Sequence, residues 1–202
     1  MTDPDKERWR VLTALLEPIH PSAQATAHRL TGGPPDGDDL YHEAVLRAFD
    51  KLHTLRDATR FRSWFFAVLL SVHRTRHRRA FWKRFLSLDA PEGTHRDPVG
   101  DDGAGSERDR ARARRLQCAL ERLPAVQREA VILFEVEGFG IEEIASMQRV
   151  SASAVKSRLA RGRKRLREFY RRRGWTGGAG DGTIPSRERA PGKKDPVEQV
   201  TT

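Results

Sequence analysis

The C-terminal third of the chain carries the clearest helical alternation of apolar and polar positions. One apolar face of a short helix is formed by Ile141, Ile144 and Ala145. After a turn, a second apolar stripe at helical spacing is formed by Val155, Leu159, Gly162, Leu166 and Phe169 or Tyr170. Ser151 or Ser153 can cap this second helix, because a hydroxyl there accepts a backbone N–H of the first turn. The pattern predicts a short helix, a tight turn and a long helix over 140–173.

The other faces of the long predicted helix are strongly basic. Between Lys156 and Arg173 there are ten lysines and arginines and one acid, Glu168. The side opposite the apolar stripe is formed by Ser153, Ser157, Arg161 and Lys164. An apolar seam with a cationic outer face suits a helix that lies in the major groove of DNA. A solvated surface helix or a coiled-coil arm is the alternative, but the helix and turn that come before favour DNA binding.

The N-terminal half is also predicted to be helical. Apolar positions recur through Trp9–Leu30, where Pro18 and Pro21 predict either two short helices or a kink. The composition of 31–37, rich in glycine and proline, indicates a loop.

The next predicted helix begins at a cap formed by Asp38 or Asp39 and runs to about Leu52. Its expected core face consists of Leu40, Tyr41, Ala44, Val45, Ala48 and Leu52. Its other face is acidic and consists of Asp39, Glu43, Leu46 and Asp50, with Arg47 at the edge. On a protein this basic, an acidic face with an exposed leucine is a poor DNA surface and a reasonable surface for docking another protein. The alternative is an ordinary solvated helix face.

A third predicted helix runs from Phe61 to about Arg79 and joins aromatic residues to a run of arginines. The buried face is expected to contain Phe61, Trp64, Phe65, Val68, Leu69 and Val72. The basic run that follows contains Arg74, Arg76, Arg78, Arg79, Lys83 and Arg84. Because rings stack on bases and arginines meet phosphates, the combination suits single-stranded or melted nucleic acid. Taken singly, the aromatics fit core packing and the arginine run fits a solvated tail.

The second half begins after a segment without a sustained apolar period. Residues 87–110 hold seven acids and three arginines, which is typical of a flexible linker. Helices are predicted for Arg112–Leu123 and for Ala125–Glu137, the latter with Val126 facing inward and Gly138 as its end.

The fold class follows from these elements. We expect an all-α protein of two small helical domains joined by a flexible linker, with a disordered tail rich in glycine, proline and charge. The predicted bounds are 9–86 for the first domain, 87–111 for the linker, 112–173 for the second domain and 174–202 for the tail.

The composition indicates which kinds of partner the protein binds. The 202 residues carry a net charge of +10 and an isoelectric point of about 10.5. This favours a polyanionic partner, with nucleic acid first and an anionic membrane surface second. The N-terminus lacks an apolar leader, and no apolar run approaches the roughly 18 residues of a membrane span. We therefore expect a soluble, intracellular protein without membrane insertion.

Little in the sequence points to catalysis or to a metal. Cys118 is the single cysteine, which excludes an internal disulfide and a Cys-rich zinc site, and we expect it to fill core space. His73 and His77 lie four positions apart, but among arginines and without nearby carboxylates, which favours surface or phosphate-facing roles. No phosphate-binding glycine loop, paired carboxylates or nucleophile and base are present. We expect no cofactor, no metal and no enzymatic activity.

The order of the parts resembles one known family. An acidic-faced helix and an F-R-S-W helix with an arginine run are followed, after the linker, by L-E-R-L-P-A-V-Q-R-E-A, E-G-F-G-I-E-E-I-A and V-K-S-R-L-A-R-G-R-K-R-L-R-E. Over 9–173 the chain resembles the extracytoplasmic-function (ECF) branch of bacterial sigma factors, which have sigma regions 2 and 4. The resemblance implies a cytoplasmic protein that binds core RNA polymerase, at the β′ clamp helices and the β flap, and directs it to promoter DNA. It also implies an anti-sigma factor as a partner.

The resemblance implies roles for individual residues. Docking on the β′ clamp helices is implied for Asp39, Glu43, Leu46, Arg47 and Asp50. Recognition and opening of the −10 element is implied for the loop 53–60, which ends in Arg60, and for Arg62, Ser63 and Trp64. Phosphate binding there is implied for Arg74, Arg76, Arg78 and Arg79. Recognition of the −35 element is implied for Ser151, Ser153, Lys156, Ser157, Arg158 and Arg161.

Three features depart from the usual pattern of the family. Arg149 stands where a turn glycine is usual, and an arginine in a left-handed conformation costs about 1 kcal/mol. Either the turn differs or Arg149 contacts phosphate. Leu70 and Ser71 stand where an Arg-Asn pair is usual, and the usual aspartate near Arg74 is absent. These last two bear on the details of −10 recognition rather than on the domain.

Two other functions fit parts of the pattern. A stand-alone helix-turn-helix regulator that binds duplex DNA as a dimer would share the basic helix. It would need a sensor or dimerisation domain in place of 38–79, without an acidic docking face. An enzyme or RNA-binding module would be supported by a defined catalytic pocket. The segment 38–79 favours the sigma factor.

Overall fold

The computed structural model describes residues 3–86 and 106–175, and all regular structure within these ranges is helical. The first range contains α1 (Asp3–Leu16), α2 (His20–Thr31), α3 (Pro34–Lys51) and α4 (Phe61–Leu86). The second range contains α5 (Glu107–Glu121), α6 (Ala125–Val131), α7 (Ile141–Gln148) and α8 (Ala152–Arg172). The predicted all-α fold is confirmed. Most of the predicted linker and tail lies outside the described residues, and no helix within them is both long and apolar enough to cross a membrane.

Proline and glycine set the helix ends at the start of the chain. Pro18 lies in a turn of 3₁₀ helix, Glu17–Ile19, that separates α1 from α2, so the predicted interruption is confirmed. α2 ends at Gly32, whose left-handed φ of 101° closes the helix and whose N–H donates to the carbonyl of His28 at 2.9 Å.

The start of α3 was predicted too late. The helix begins at Pro34 rather than after a cap at Asp38 or Asp39, because the fixed φ of proline suits the first helical position. The carboxylate of Asp38 instead accepts hydrogen bonds from Gln24 and from the ring of His28, both at 2.8 Å. The loop predicted for 31–37 is therefore reduced to two glycines.

The core of the first half lies between α1, α2, α3 and α4. The largest fully buried side chains there are Leu12, Leu30, Leu40, Phe65, Phe66, Leu69 and Leu70. The predicted core face of α3 is largely confirmed, since Leu40, Tyr41, Ala44 and Ala48 are buried. α4 is buried on a wider arc than predicted, because Phe66 and Leu70 are also covered.

Gly37 permits the close approach of α3 to α2. A Cβ built on Gly37 lies 2.7 Å from the Cα and 2.8 Å from the backbone nitrogen of His28. Backbone atoms of a packed helix cannot move aside without shifting the helix, so only glycine fits here.

Gly37→Ala is expected to lower the free energy of unfolding by about 1–2 kcal/mol. The strain of overpacking, about 1–3 kcal/mol, exceeds the gain in helix propensity, about 0.5–1 kcal/mol. Thermal or urea unfolding followed by circular dichroism measures it. Gly33→Ala is the matched control, because a Cβ on Gly33 meets nothing within 4 Å. Equal stability of the two variants would contradict the proposed close contact.

The second half begins earlier than predicted. α5 starts at Glu107, five residues inside the predicted linker 87–111. Ser106 caps it by accepting the backbone N–H of Asp109 at 3.3 Å, and Glu107 and Asp109 place negative charge in the first turn. A cap and two acids therefore start a helix in a stretch whose composition resembled a linker.

The helix predicted over Ala125–Glu137 is interrupted. α6 continues into a π-helical turn, Ile132–Val136, and the N–H of Glu137 donates to the carbonyl of Ile132 at 3.0 Å. Gly138, with a φ of 74°, ends the segment as predicted. Val126 was predicted to face inward, but its side chain is 41% exposed, because it lies in the first turn of α6 ahead of the buried part.

α7 and α8 form the predicted helix-turn-helix. Val155, Leu159, Gly162 and Leu166 of the predicted apolar stripe are buried. Gly162 lets α8 approach α6, since a Cβ there would lie 2.8 Å from Cγ2 of Val131. Cys118 on α5 is partly rather than fully buried.

The two halves pack against each other through α2 and α4 on one side and α6, α7 and the π-helical segment on the other. The rings of Phe66 and Phe139 meet edge to face, with centroids 5.1 Å apart. The guanidinium of Arg128 donates to the carbonyl of Leu30 at 2.8 Å, and apolar residues of both halves belong to one buried cluster. Residues on the inner face of α4 are therefore covered by the second domain.

Candidate nucleic-acid interface

The N-terminal part of α8 presents polar and cationic side chains to solvent. Ser153, Lys156 and Arg161 are exposed, and Ser157 is half-buried. Ser151 is one of the two predicted caps of α8 and was also predicted to contact DNA. Its hydroxyl accepts the backbone N–H of Ala154 at 3.2 Å, so the cap is confirmed at Ser151. The exposed residues form the surface that a major groove could meet.

Arg158 is the most constrained of the predicted DNA-binding residues on α8. Its guanidinium donates to Oε1 of Gln148 at 2.6 Å. The amide nitrogen of Gln148 donates in turn to Oε2 of Glu129 and to the carbonyl of Val126, both at 3.2 Å. Because Gln148 is buried and its amide is held at both ends, it fixes the position of Arg158.

The turn between α7 and α8 contains Arg149 in a left-handed conformation, with φ 52° and ψ 51°. Among the residues described, it is the one non-glycine residue with positive φ. The turn thus keeps the geometry that glycine usually supplies. Of the two alternatives offered for Arg149, a turn that differs from the usual one is wrong. The side chain of Arg149 is exposed beside the start of α8.

Arg149→Gly is expected to raise the free energy of unfolding by about 0.5–1 kcal/mol, because glycine removes the left-handed strain. The greater conformational entropy of glycine in the unfolded chain offsets part of that gain. If Arg149 contacts phosphate, the slope of log K against log salt for duplex binding should also shrink by about 0.9.

Thermal unfolding and a salt titration of duplex affinity measure the two effects of Arg149→Gly. Arg149→Ala separates them, because it removes the same charge without relieving the strain. A melting temperature that rises equally in both variants would contradict the strained turn.

The arginine run of α4 does not form one surface. Consecutive residues are rotated by about 100°, so Arg74 and Arg76 point to different sides of the helix. Arg76 lies against α3, where its Nε is 3.3 Å from a carboxylate oxygen of Glu43 and it is 3.8 Å from Asp39. Arg78 and Arg79 are exposed.

Arg74 and Arg62 contact the second domain. Arg74 binds the carboxylate of Glu129, with its Nε 3.1 Å and an Nη 2.5 Å from Oε2. Arg62 binds Glu137, with an Nη 2.7 Å from the carbonyl oxygen and 3.0 Å from the carboxylate. Two arginines predicted to meet promoter DNA are thus occupied within the chain.

Glu129 is fully buried at the centre of this arrangement. Burial by itself would raise the pKa of Glu129, but hydrogen bonds from His73 and Arg74 outweigh that cost and lower its pKa below the usual range. The ring of His73 lies 3.3 Å from the carboxylate and is itself buried. His73, predicted to be surface or phosphate-facing, instead joins the contact between the domains.

The predicted −10 loop is fixed to the first domain by short local contacts. The indole N–H of Trp64 donates to the hydroxyl of Thr54 at 3.2 Å, and the hydroxyl of Ser63 donates to the carbonyl of Arg60 at 3.1 Å. Asp57 caps the turn of 3₁₀ helix, Ala58–Arg60, by accepting the N–H of Thr59. The hydroxyl of Thr59, followed by this N–H, lowers the pKa of Asp57. Trp64 is half-buried and Arg60 is exposed.

The predicted docking face of α3 is open to solvent. Asp39, Arg47 and Asp50 are exposed, and Leu46 is 58% exposed. Glu43 is half-buried because of its ion pair with Arg76. The face therefore combines an accessible leucine with acids of which one is already paired.

Sequence reasoning missed the carboxylates that join the domains. Glu129 and Glu137 both fall within the predicted helix Ala125–Glu137, which has an apolar face, and a glutamate at an inward position is the signal that was available. Thr26, whose hydroxyl donates to Glu137 at 2.6 Å, gives no such signal. Spacing along one helix does not reveal a partner 111 residues away.

Comparison with known proteins agrees with this architecture. Residues 15–83 match the family model for Sigma-70 region 2, and residues 113–166 match the model for Sigma-70, region 4. The chain is 33% identical over 144 residues to the ECF RNA polymerase sigma factor SigE of Mycolicibacterium smegmatis, which covers 71% of this chain and 55% of that protein. It is 31% identical over 153 residues to the RNA polymerase sigma factor NccH of Alcaligenes xylosoxydans xylosoxydans, covering 73% and 80%.

Among solved structures, the sigma factor RpoE of Bartonella quintana, in complex with the anti-sigma factor NepR, has the same fold. The TM-score is 0.61 at 23% identity, and the match covers 77% of this chain and 94% of that one. Two helical sigma regions in this order define a two-domain sigma factor of the Sigma-70 class. The chain belongs to the ECF branch of the RNA polymerase sigma factors.

Proposed function

We propose that this protein binds core RNA polymerase and directs promoter recognition and the initiation of transcription. The observation that carries the proposal is the presence in one chain of a helix-turn-helix with a cationic α8 and of an acidic α3 face with Leu46 exposed. A DNA-reading helix places the protein on duplex DNA, and the acidic face gives it a surface for a protein partner. This chain aligns with only 55% of the length of SigE. The proposal therefore rests on the two sigma regions of this chain and not on the whole of SigE.

The first domain, 9–86, is assigned to polymerase docking and to the −10 element. The α3 face would meet the β′ clamp helices, while Trp64 and the loop ahead of it would hold unstacked bases. Flipped bases held in this way offset the few kcal/mol that melting costs. The chain binds melted promoter DNA more tightly than the duplex, and the polymerase carries out RNA synthesis.

The second domain, 112–173, is assigned to the −35 element and the β flap. Side chains at the N-terminal end of α8 reach base edges, and the later arginines meet phosphates. Arg158 is the leading candidate for a base contact, because Gln148 holds its guanidinium in place.

An anti-sigma factor is the third proposed partner, beside core polymerase and promoter DNA. RpoE of Bartonella quintana was solved with such a protein, NepR. A partner of this kind would have to cover the α3 face or the cationic surfaces to block them. We place its action, and that of the sigma factor, in the bacterial cytoplasm without membrane insertion.

Reconstitution with core RNA polymerase tests the proposal. We expect the purified chain to bind core enzyme in size-exclusion chromatography and to direct transcription from specific sites in a library of genomic fragments. Core enzyme alone is the control. Failure to bind core, or initiation at no site, would overturn the proposal. Duplex binding without core binding would point to a stand-alone helix-turn-helix regulator.

A further inference from the structure

The inner face of the first domain is occupied by acids of the second. Two guanidinium groups on α4 that are expected to meet promoter DNA, those of Arg62 and Arg74, each bind a carboxylate instead. The two carboxylates, Glu137 and Glu129, belong to the second domain and come from either side of the π-helical turn.

The contacts resemble those between an arginine and a phosphate. Arg74 reaches both oxygens of Glu129, with its Nε 3.2 Å from Oε1 and 3.1 Å from Oε2. A guanidinium binds carboxylate and phosphate oxygens with the same planar set of donors. A bound carboxylate and a bound phosphate therefore exclude each other at these two arginines.

Apolar and polar contacts around the acids hold them in place. The guanidinium of Arg62 lies over the ring of Phe139, 4.0 Å from its centroid, and that ring meets Phe66. The carboxylate of Glu137 also accepts the hydroxyl of Thr26. The acids are thus part of a packed interface and not mobile surface charges.

The same interface reaches the −35 helix. Glu129 accepts the amide of Gln148, and Gln148 accepts the guanidinium of Arg158. Through this buried chain of hydrogen bonds, the position of Arg158 is linked to the contact that Arg74 makes with Glu129.

We propose that the second domain competes with promoter DNA within the chain: Glu137 occupies Arg62 and Glu129 occupies Arg74 until the domains separate. The proposal rests on the proposed function, because it assumes that these arginines meet DNA. The interface is suited to reversal, since burying ion pairs costs desolvation that offsets much of their attraction. Opening exchanges each carboxylate for a phosphate, so DNA binding and domain separation favour each other.

The proposal can be tested on the full chain with Glu137→Gln. Glutamine keeps the size of the side chain and can still accept the hydroxyl of Thr26, but it removes the ion pair with Arg62. Glu142→Gln is the matched control, because it removes the same charge from an exposed position in the first turn of α7. Glu129→Gln is a second variant with a larger expected effect, although the loss of a fully buried carboxylate can also affect folding.

Two measurements are made on each variant. Fluorescence anisotropy gives the affinity for a short fluorescein-labelled oligothymidylate, and small-angle X-ray scattering gives the radius of gyration. We expect Glu137→Gln to bind the oligonucleotide roughly three- to tenfold more tightly than the wild type and to have a larger radius of gyration. Glu142→Gln should match the wild type in both.

The outcomes separate this proposal from the proposed function. An equal gain in Glu137→Gln and Glu142→Gln would show a general effect of charge and would overturn the competition. Expansion without a gain in affinity, or no change in either quantity, would overturn it as well. Binding of wild-type chain to core polymerase is measured in parallel, and its absence would remove the proposed function even if Glu137→Gln gains affinity.

Discussion

Replacing Glu43 and Leu46 together by alanine is expected to weaken binding to core RNA polymerase by roughly 30- to 100-fold, or about 2–3 kcal/mol. Leu46 is 58% exposed, so its side chain is available for burial against a partner. Burying a leucine contributes about 1.5–3 kcal/mol. Glu43 adds less, because Arg76 already neutralises part of its charge.

The measurement is a titration of labelled core enzyme with the variant, alongside its affinity for duplex DNA. Duplex binding should be unchanged, since α8 lies in the other domain. Val11→Ala is the matched control, because Val11 is also an exposed aliphatic residue, at 42%, and lies outside the α3 face. A comparable loss of core binding in the control, or a parallel loss of duplex binding, would refute the assignment of polymerase docking to the α3 face and of duplex binding to α8.

Arg158→Ala is expected to weaken binding to the preferred −35 duplex by about 1–3 kcal/mol, roughly 5- to 150-fold, and to relax the preference at one base pair. The guanidinium is preorganised by Gln148, so little side-chain entropy is lost when it meets a base edge. Gln148→Ala should reproduce part of this loss in affinity, because it frees the guanidinium without removing it.

Selection of duplexes from a randomised library, followed by titration of the selected duplexes, measures both the affinity and the base preference. Lys164→Ala is the control for charge alone, since Lys164 is exposed further along α8. It should weaken all duplexes alike and reduce the salt slope by about 1. An unchanged base preference in Arg158→Ala would move recognition to another residue.

The elements that the sequence predicted well have patterns confined to one helix. The apolar stripe of α8 and the core face of α3 needed only the helical period, and most of their residues are buried as expected. For Arg149 the sequence showed only that an arginine stands where a turn glycine is usual and left open whether the turn differs, whereas the structure keeps the left-handed turn.

The elements that were missed depend on contacts between helices or on a local cap. α5 starts at Glu107 because Ser106 caps it, which average composition does not show. The arginine run looked like one surface in the sequence, whereas the helix turns Arg74 and Arg76 apart. The partners of Arg74 and Arg62 lie 55 and 75 residues away, beyond any periodicity.

The π-helical turn Ile132–Val136 determines how the second domain pairs with the first. A π turn is equivalent to one residue inserted into an α-helix, and one residue advances the helix by roughly 100°. The insertion therefore sets the angular phase at which Glu137 leaves the helix that also bears Glu129. We expect deletion of one residue of the turn to restore an uninterrupted helix and to rotate Glu137 away from Arg62. Such a deletion, of a single codon, would then change the pairing of the two domains without altering any residue that is assigned to DNA or polymerase.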